Sequence, residues 1–463
     1  MNNNFSKNSL GYRGFISLYG LTYVFIMCLG VFNYSLTWFS ISVASPTILK
    51  HYQADEFVSA ILVLYLGSSM FSGFLAGFLF DNYNRLKLLS ITSLGFIISS
   101  LLPIAFDGLY VILASRFLQG LFEGVIVANS YRMVKEAVDE NHVKYAYGLV
   151  SFSYLSAAAI APLIEALIIE NYSWKLTYWM IASLGLIYLL PLFFSKILVK
   201  EPSKTGKLYL SRLILCLLLS LSLSLASVVV HPVHIVVFLV LACVCGFIFF
   251  KVDSASLSPS LPYKMFAAQT KQKYLYSALI LVAMPVAFIH TLMPYSTQVV
   301  FNSSIGFSGY LVASVSFFWS ISAISLPMLN FNYPFKVGFG FLILGYLLIT
   351  VSFTFDAIYL LAIGLALVGS SMGIIWSSLI SSLTLVYKNR DIGSATSIVP
   401  TLQLASYCIG VAIVNFIVNL NGGMDQGSSS GLILFNIELY VIAVFLSLLS
   451  MLYISQYSKN SLK

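Results

Sequence analysis

Apolar residues recur along this chain in long runs separated by short polar segments. At about 20 apolar residues per bilayer crossing, runs fall near 20–46, 57–80, 86–106, 108–130, 146–169, 174–197, 208–229, 232–250, 274–297, 306–328, 336–355, 358–384, 393–419 and 432–455. The pattern predicts an all-α, polytopic membrane protein of fourteen transmembrane helices, and an even number of crossings returns both ends to one side. The polar connections are too short to hold a soluble domain; the longest run from about Val252 to Lys273 and from Lys135 to Lys144. Asn421 to Ser430, rich in Gly and Ser, reads as a flexible loop.

Charge orients this topology. Of the 24 Lys and Arg, only Lys50 and Lys175 fall in segments on the side away from the termini, and Arg116 lies inside a run. The rest cluster in or beside connections on the terminal side, which by the positive-inside rule is cytoplasmic. One miscounted helix would invert everything after it, so the asymmetry supports the count as well. Only 9% of residues are charged and 59% are hydrophobic, at a mean hydropathy of +0.93. A net charge of +8 spread this way predicts a lipid bilayer partner and no nucleic acid. The five cysteines lie in apolar runs without metal-site spacing, and the first run is too long for a removable signal peptide.

Charges inside the apolar runs are few: Arg116, Glu123, Glu165 and Glu438. A charged side chain at mid-bilayer costs roughly 2.5–3.5 kcal/mol and is kept where it lines an enclosed path. Arg116 and Glu123 stand seven residues, two helical turns, apart on one face of the fourth helix, and so mark an interior and a wet pathway. At 1.5 Å per residue, Arg116 and Glu165 lie at similar depth, roughly 12 and 8 Å from the outer face. An Arg116–Glu165 ion pair is therefore expected. Either Glu123 or Glu165 takes up and releases a proton, or Arg116 forms a structural bridge that never titrates. His290 reads as packing, His231-Pro-Val-His234 as a turn, and the many Phe and Tyr as compositional bias plus bulk facing lipid.

Three stretches carry a family resemblance. Gly77-Phe-Leu-Phe-Asp81-Asn-Tyr-Asn-Arg85-Leu-Lys87 follows the second helix, Arg116-x-x-Gln119-Gly120 lies in the fourth, and Ala157-x-x-x-Ala161-Pro162-x-x-Glu165 in the fifth. They resemble the loop motif, the Arg-x-x-Gln-Gly element and the antiporter motif of the major facilitator superfamily. Asn82 and Asn84 replace the usual basic residue and glycine; alanines replace glycines in the fifth helix, where Glu165 takes a small-residue position. The resemblance implies that Gly77, Asp81 and Arg85 form a cytoplasmic gating loop, with Gly77 at a close helix contact and Asp81 latching the two halves. It also implies that Arg116, Gln119, Glu123 and Glu165 line the substrate or proton path, and that Gly120, Ala157, Ala161 and Pro162 serve helix bending and packing.

Fourteen helices, together with Pro262–Phe266, Met293–Gln298 and Asp391-Ile-Gly393-Ser394-Ala395, resemble the drug:proton antiporter (multidrug efflux) branch. That implies a cytoplasmic N-terminus at 1–14, a six-helix bundle at 15–200, a central helix pair at 201–251, a linker at 252–273, a second six-helix bundle at 274–456 and a C-terminus at 457–463. Thr37 stands where the branch carries an acid in its first helix, so that role is lost or moved. The expectation is a monomeric secondary transporter of the bacterial inner membrane, with both termini cytoplasmic. It would export a small amphipathic compound by proton-coupled alternating access, with no cofactor or metal beyond the proton gradient. An anionic metabolite or siderophore held by Arg116 is the alternative cargo. A non-transporting sensor or enzyme is the alternative class, although no catalytic grouping is visible.

Overall fold

The computed structural model describes residues 20–137, 143–194, 209–256, 270–329, 333–387, 398–422 and 429–461, with 16, 261–262 and 264–267. The predicted terminus at 1–14 and the segment Asp391–Ala395 lie outside the described residues, as does most of the 421–430 loop.

Among the described residues fourteen α-helices follow one another: α1 Leu21–Tyr52, α2 Val58–Asn82, α3 Arg85–Ala105, α4 Leu109–Ala137, α5 Val143–Asn171, α6 Lys175–Phe194, α7 Leu210–Ala226, α8 Pro232–Ser254, α9 Lys271–Val300, α10 Ile305–Leu329, α11 Pro334–Thr354, α12 Ile358–Val386, α13 Val399–Leu420 and α14 Ser429–Ser461. In a bilayer every backbone polar group must be satisfied within the segment, which is why each apolar run becomes a helix. Polar residues at the junctions set the boundaries. The Asn84 side chain accepts the Lys87 N–H and starts α3, and Thr270 does the same for α9 through Lys273. Gln53, left-handed at φ 51°, closes α1. Among the described residues thirteen of these helices have the length and apolarity to span a bilayer. The other, α7, has 17 residues and rises about 26 Å, just under one hydrocarbon thickness.

Helices α1–α6 pack on one another, as do α9–α14; α5 meets α10, α2 meets α13, and α1 meets α9 across the divide. The α7–α8 hairpin packs on α2 and α13 and so touches both bundles. Ser220 of α7 donates to the Gly67 carbonyl of α2, while Asn415 of α13 donates to the carbonyls of Ala226 and Val229 (3.0 and 2.8 Å), capping the end of α7. At its other end the hairpin is held by a buried ion pair, Arg212 Nη1 to Asp253 Oδ1 at 3.0 Å.

Much of α1 is buried, with α2, α4, α5, α6, α9 and α10 all packed against it. Aromatic bulk is not confined to the lipid face. Tyr65, Tyr178, Tyr188, Tyr276, Tyr346 and Tyr440 are completely buried while Tyr110, Tyr172, Phe152 and Phe445 are exposed, so the lipid-facing reading holds for only part of the aromatic residues.

Candidate functional site

The site is built on a close approach of α2 and α4. Gly120 and Gly124 repeat every fourth residue along one face of α4. A methyl at Gly120 would strike Ser68 and the Tyr65 carbonyl, and one at Gly124 would strike Ser72 and the Ser69 carbonyl. Ser69 and Ser72 donate across this seam to the Gly120 carbonyl, at 3.2 and 3.3 Å. Small residues thus let the backbones nearly touch, as the spacing of a Gly-x-x-x-Gly helix pair requires.

That approach fixes Tyr65 between the two charges of α4. The Arg116 guanidinium lies over the Tyr65 ring, 4.2 Å from its centroid, and the Tyr65 hydroxyl lies 3.1 Å from Glu123 Oε2, to which it donates. Arg116 Nε donates to the Ile61 carbonyl at 3.0 Å and Nη1 to Gln119 Oε1 at 2.6 Å; Gln119 Nε2 passes the chain on to Ser100 Oγ of α3 at 3.0 Å. Arg116, Gln119 and Glu123 are each 0% exposed. Cation–π contact with a desolvated ring, worth about 2 kcal/mol, together with these hydrogen bonds offsets part of the cost of burying the guanidinium.

Two expectations change here. Arg116 makes no ion pair with Glu165: its guanidinium is turned onto α2, while Glu165 Oε2 accepts from Thr177 Oγ1 of α6 at 2.8 Å. Similar depth did not decide the pairing, because the two side chains leave their helices toward different neighbours. Nor do Arg116 and Glu123 border a wet chamber in this conformation. They are fully buried beside Tyr65, whose ring stacks on that of the half-buried Tyr34 (centroids 5.4 Å apart).

From Tyr65 an aromatic path crosses to the second bundle. Trp38, one turn beyond Tyr34, stacks on Tyr65 at 6.5 Å and meets the His290 ring of α9 edge-on at 6.1 Å; Phe39 meets the same imidazole at 5.5 Å. Ser42 Oγ donates to the His290 carbonyl at 2.7 Å. On the face away from the termini the bundles meet again, where Tyr295 Oη donates to Asp55 Oδ2 at 3.1 Å and Gly309 of α10 lies against Pro162 and Val43. Ala157 and Ala161 are fully buried in α5, so the small-residue stripe packs although Glu165 occupies one of its positions; the carboxylate points to α6 instead.

In the loop motif, Asp81 Oδ1 pairs with Arg132 Nη2 of α4 at 2.7 Å, within one bundle. Arg85 and Arg132 both lie near the Phe80 ring, at 5.7 and 5.6 Å. A methyl on Gly77 would meet nothing within 4 Å, although its carbonyl accepts from Arg132 Nη1 of α4 at 3.3 Å, so the expected close backbone contact falls at Gly120 and Gly124 instead. Asn84, a departure from the motif, earns its place as the α3 N-cap. Glu438 Oε2 accepts from Asn421 near the α13–α14 connection. His231 caps α8 by accepting the Val233 N–H, which accords with a turn. Among the described residues no His, Cys, Asp or Glu cluster could hold a metal, and the five cysteines are free.

Tyr65, Tyr34 and Trp38 were not singled out from sequence. The signal that points to Tyr65 is indirect: Ser68, Ser69 and Ser72 on α2 match the small-residue spacing of Gly120 and Gly124, which puts the residue one turn earlier between Arg116 and Glu123.

Two helical bundles joined by a hairpin, with Arg116, Glu123 and Glu165 buried in the first of them, make up a polytopic all-α membrane fold. The model of the Major Facilitator Superfamily matches residues 27–411, and the chain belongs to that superfamily. Membership places it among membrane transporters and not among enzymes. None of the curated proteins matches. Among solved structures the chain is similar to the POT family transporter PepTSo (13% identity, 94% of this chain and 98% of that one, TM-score 0.69). It is also similar to a bacterial homologue of the human lysosomal transporter Spinster in an inward-facing, unoccupied conformation (13%, 98% and 98%, 0.64). A third is a D-xylose-proton symporter (12%, 94% and 97%, 0.61). At such identities the likeness is one of fold.

Proposed function

We propose that this protein couples proton movement to the export of a small amphipathic compound, as in the multidrug efflux branch, with Glu123 as the proton carrier. The observation that carries the reading is the Arg116–Tyr65–Glu123 arrangement. It places a carboxylate in the membrane interior with one oxygen bonded only to a neutral phenol and the other, Oε1, without a hydrogen-bond partner. A carboxylate so placed, without a counterion in contact, can change charge state without first breaking an ion pair, which a structural bridge could not do.

The phenols and indoles around Tyr34 and Trp38 favour a cargo with a flat apolar part. Arg116 is a poor anion contact here, since Tyr65 covers its guanidinium and no part of it is exposed. The Lys and Arg asymmetry supports an orientation with both termini in the cytoplasm, and a single chain, working as a monomer, suffices for this cycle. Alternating access by rocking of the two bundles about the seam at Trp38 and His290 follows from where they touch.

Purified protein in liposomes with an imposed pH gradient provides the test. Gradient-dependent flux of an amphipathic dye is expected in the wild type, loss of that dependence in Glu123→Gln with dye binding retained, and coupled flux in Glu165→Gln. Full gradient-driven flux in both variants would end the assignment of a titrating role to either carboxylate.

A further inference from the structure

The Tyr65 hydroxyl stands between two acceptors: Oη is 3.1 Å from Glu123 Oε2 and 3.2 Å from the Tyr34 carbonyl oxygen. A phenol has one hydrogen to donate, although its oxygen can also accept. When Glu123 is ionised that hydrogen goes to the carboxylate, because a bond to a charged acceptor is roughly twice as strong as a neutral one. When Glu123 binds a proton, its new O–H can donate to Tyr65 Oη, and the phenol hydrogen is released toward Tyr34. The only covalent change is the O–H bond made at Glu123 with the incoming proton; Tyr65 keeps its own hydrogen and only turns it.

We propose that Tyr65 is a positioning residue that switches its hydrogen bond from Glu123 to the α1 backbone when Glu123 is protonated, and so carries the charge state of α4 to the seam between the bundles. The inference rests on Glu123 being the proton carrier. Its output lies in α1. Within that helix the Tyr34 carbonyl already accepts the Trp38 N–H, so a second donor at this oxygen competes with the bond that positions Trp38. Trp38 is the side chain that meets both Tyr65 and, across the seam, His290. A proton arriving in the first bundle thereby loosens a contact with the second.

Among the described residues, four groups interact with Glu123 electrostatically or by a hydrogen bond. They are Arg116 on its own helix, Tyr65 from α2, Tyr34 from α1 and Tyr188 from α6. Among the described residues α3 and α5 bring no charged side chain to it. Of these neighbours, only Tyr65 is hydrogen-bonded to the carboxylate.

Tyr65→Phe keeps the ring, its stacking and its contact with Arg116 while removing the switched hydrogen. Dye binding at fixed pH is expected to stay within about threefold of the wild type, an allowance of under 1 kcal/mol. Gradient-driven flux should fall at least about tenfold, and the midpoint of its pH profile should move upward by about one pH unit, the equivalent of one bond to a charged acceptor. A merely structural role would lower flux at every pH without moving the midpoint. The wild-type protein gives a second readout independent of how the variant folds. Infrared difference spectra across the titration that is absent from Glu123→Gln must contain a tyrosine C–O band, and its absence would overturn the switch. The two readings separate cleanly: coupled flux in Glu123→Gln refutes the carrier assignment, whereas an uncoupled Glu123→Gln beside an unshifted Tyr65→Phe refutes the switch alone.

Discussion

Replacing Gly120 with alanine asks whether the contact of α2 with α4 is what holds the charged site together. The added methyl would meet Ser68 Oγ, which can rotate away, and the Tyr65 carbonyl, which cannot move without shifting α2. Overpacking of this kind costs about 1–3 kcal/mol. A shift also weakens the two serine bonds to the Gly120 carbonyl, each worth about 0.6 kcal/mol in membrane proteins. Against that stands about 1 kcal/mol of helix propensity gained by leaving glycine. The net expectation is a loss of about 1–3 kcal/mol, together with uncoupling, because the same shift moves Tyr65 off Arg116 and Glu123. Gly77→Ala is the matched control: it gains the same propensity and its methyl meets nothing within 4 Å. Unfolding in mixed micelles followed by circular dichroism measures both variants. The reasoning fails if Gly120→Ala is as stable as the wild type, or if Gly77→Ala is the more damaging change.

Other expectations concern the hairpin and the face away from the termini. Arg212→Met should cost about 3–5 kcal/mol by leaving the Asp253 carboxylate buried without its cation. Arg212→Met with Asp253→Leu should recover most of that in the same unfolding assay, and a double variant no better than the single one would contradict it. Asp107 accepts from Tyr52 Oη at 2.9 Å and from Lys175 Nζ at 3.2 Å, and these partners, Tyr52 first, hold its carboxyl below the usual carboxylate range. With its folded-state value depressed, the clasp between α1, the α3–α4 loop and α6 contributes above the unfolded-state pKa of about 4 and is lost as pH falls below it. Melting temperature should therefore drop more steeply with acid in the wild type than in Asp107→Asn; parallel curves would show that the clasp contributes nothing.

The helix count and the order of the bundles were legible in the sequence because a bilayer leaves an apolar run little choice but to be a helix. Individual side-chain pairings were not. Depth along a helix suggested Arg116 with Glu165, but depth carries no information on the direction in which a side chain leaves its helix. Thr177 and Tyr65, both neutral, took the places that charge-matching would have filled. Gly77 illustrates the same limit from another side: a motif carries a glycine's position but not its neighbours, and the tight packing belongs to Gly120 and Gly124. Asn84 departs from the motif and yet has a local use that N-cap chemistry explains. Tyr65 lay in an apolar run among many aromatics, and nothing in composition separates the one that bridges two charges from those that fill space.

Proton flux in sealed liposomes holding only this protein tests the central claim most directly. With a dye gradient imposed and an internal pH indicator, the wild type should move protons when dye moves, in a fixed ratio, and Glu123→Gln should bind dye without moving protons. Dye-driven proton movement that survives in Glu123→Gln would contradict the account.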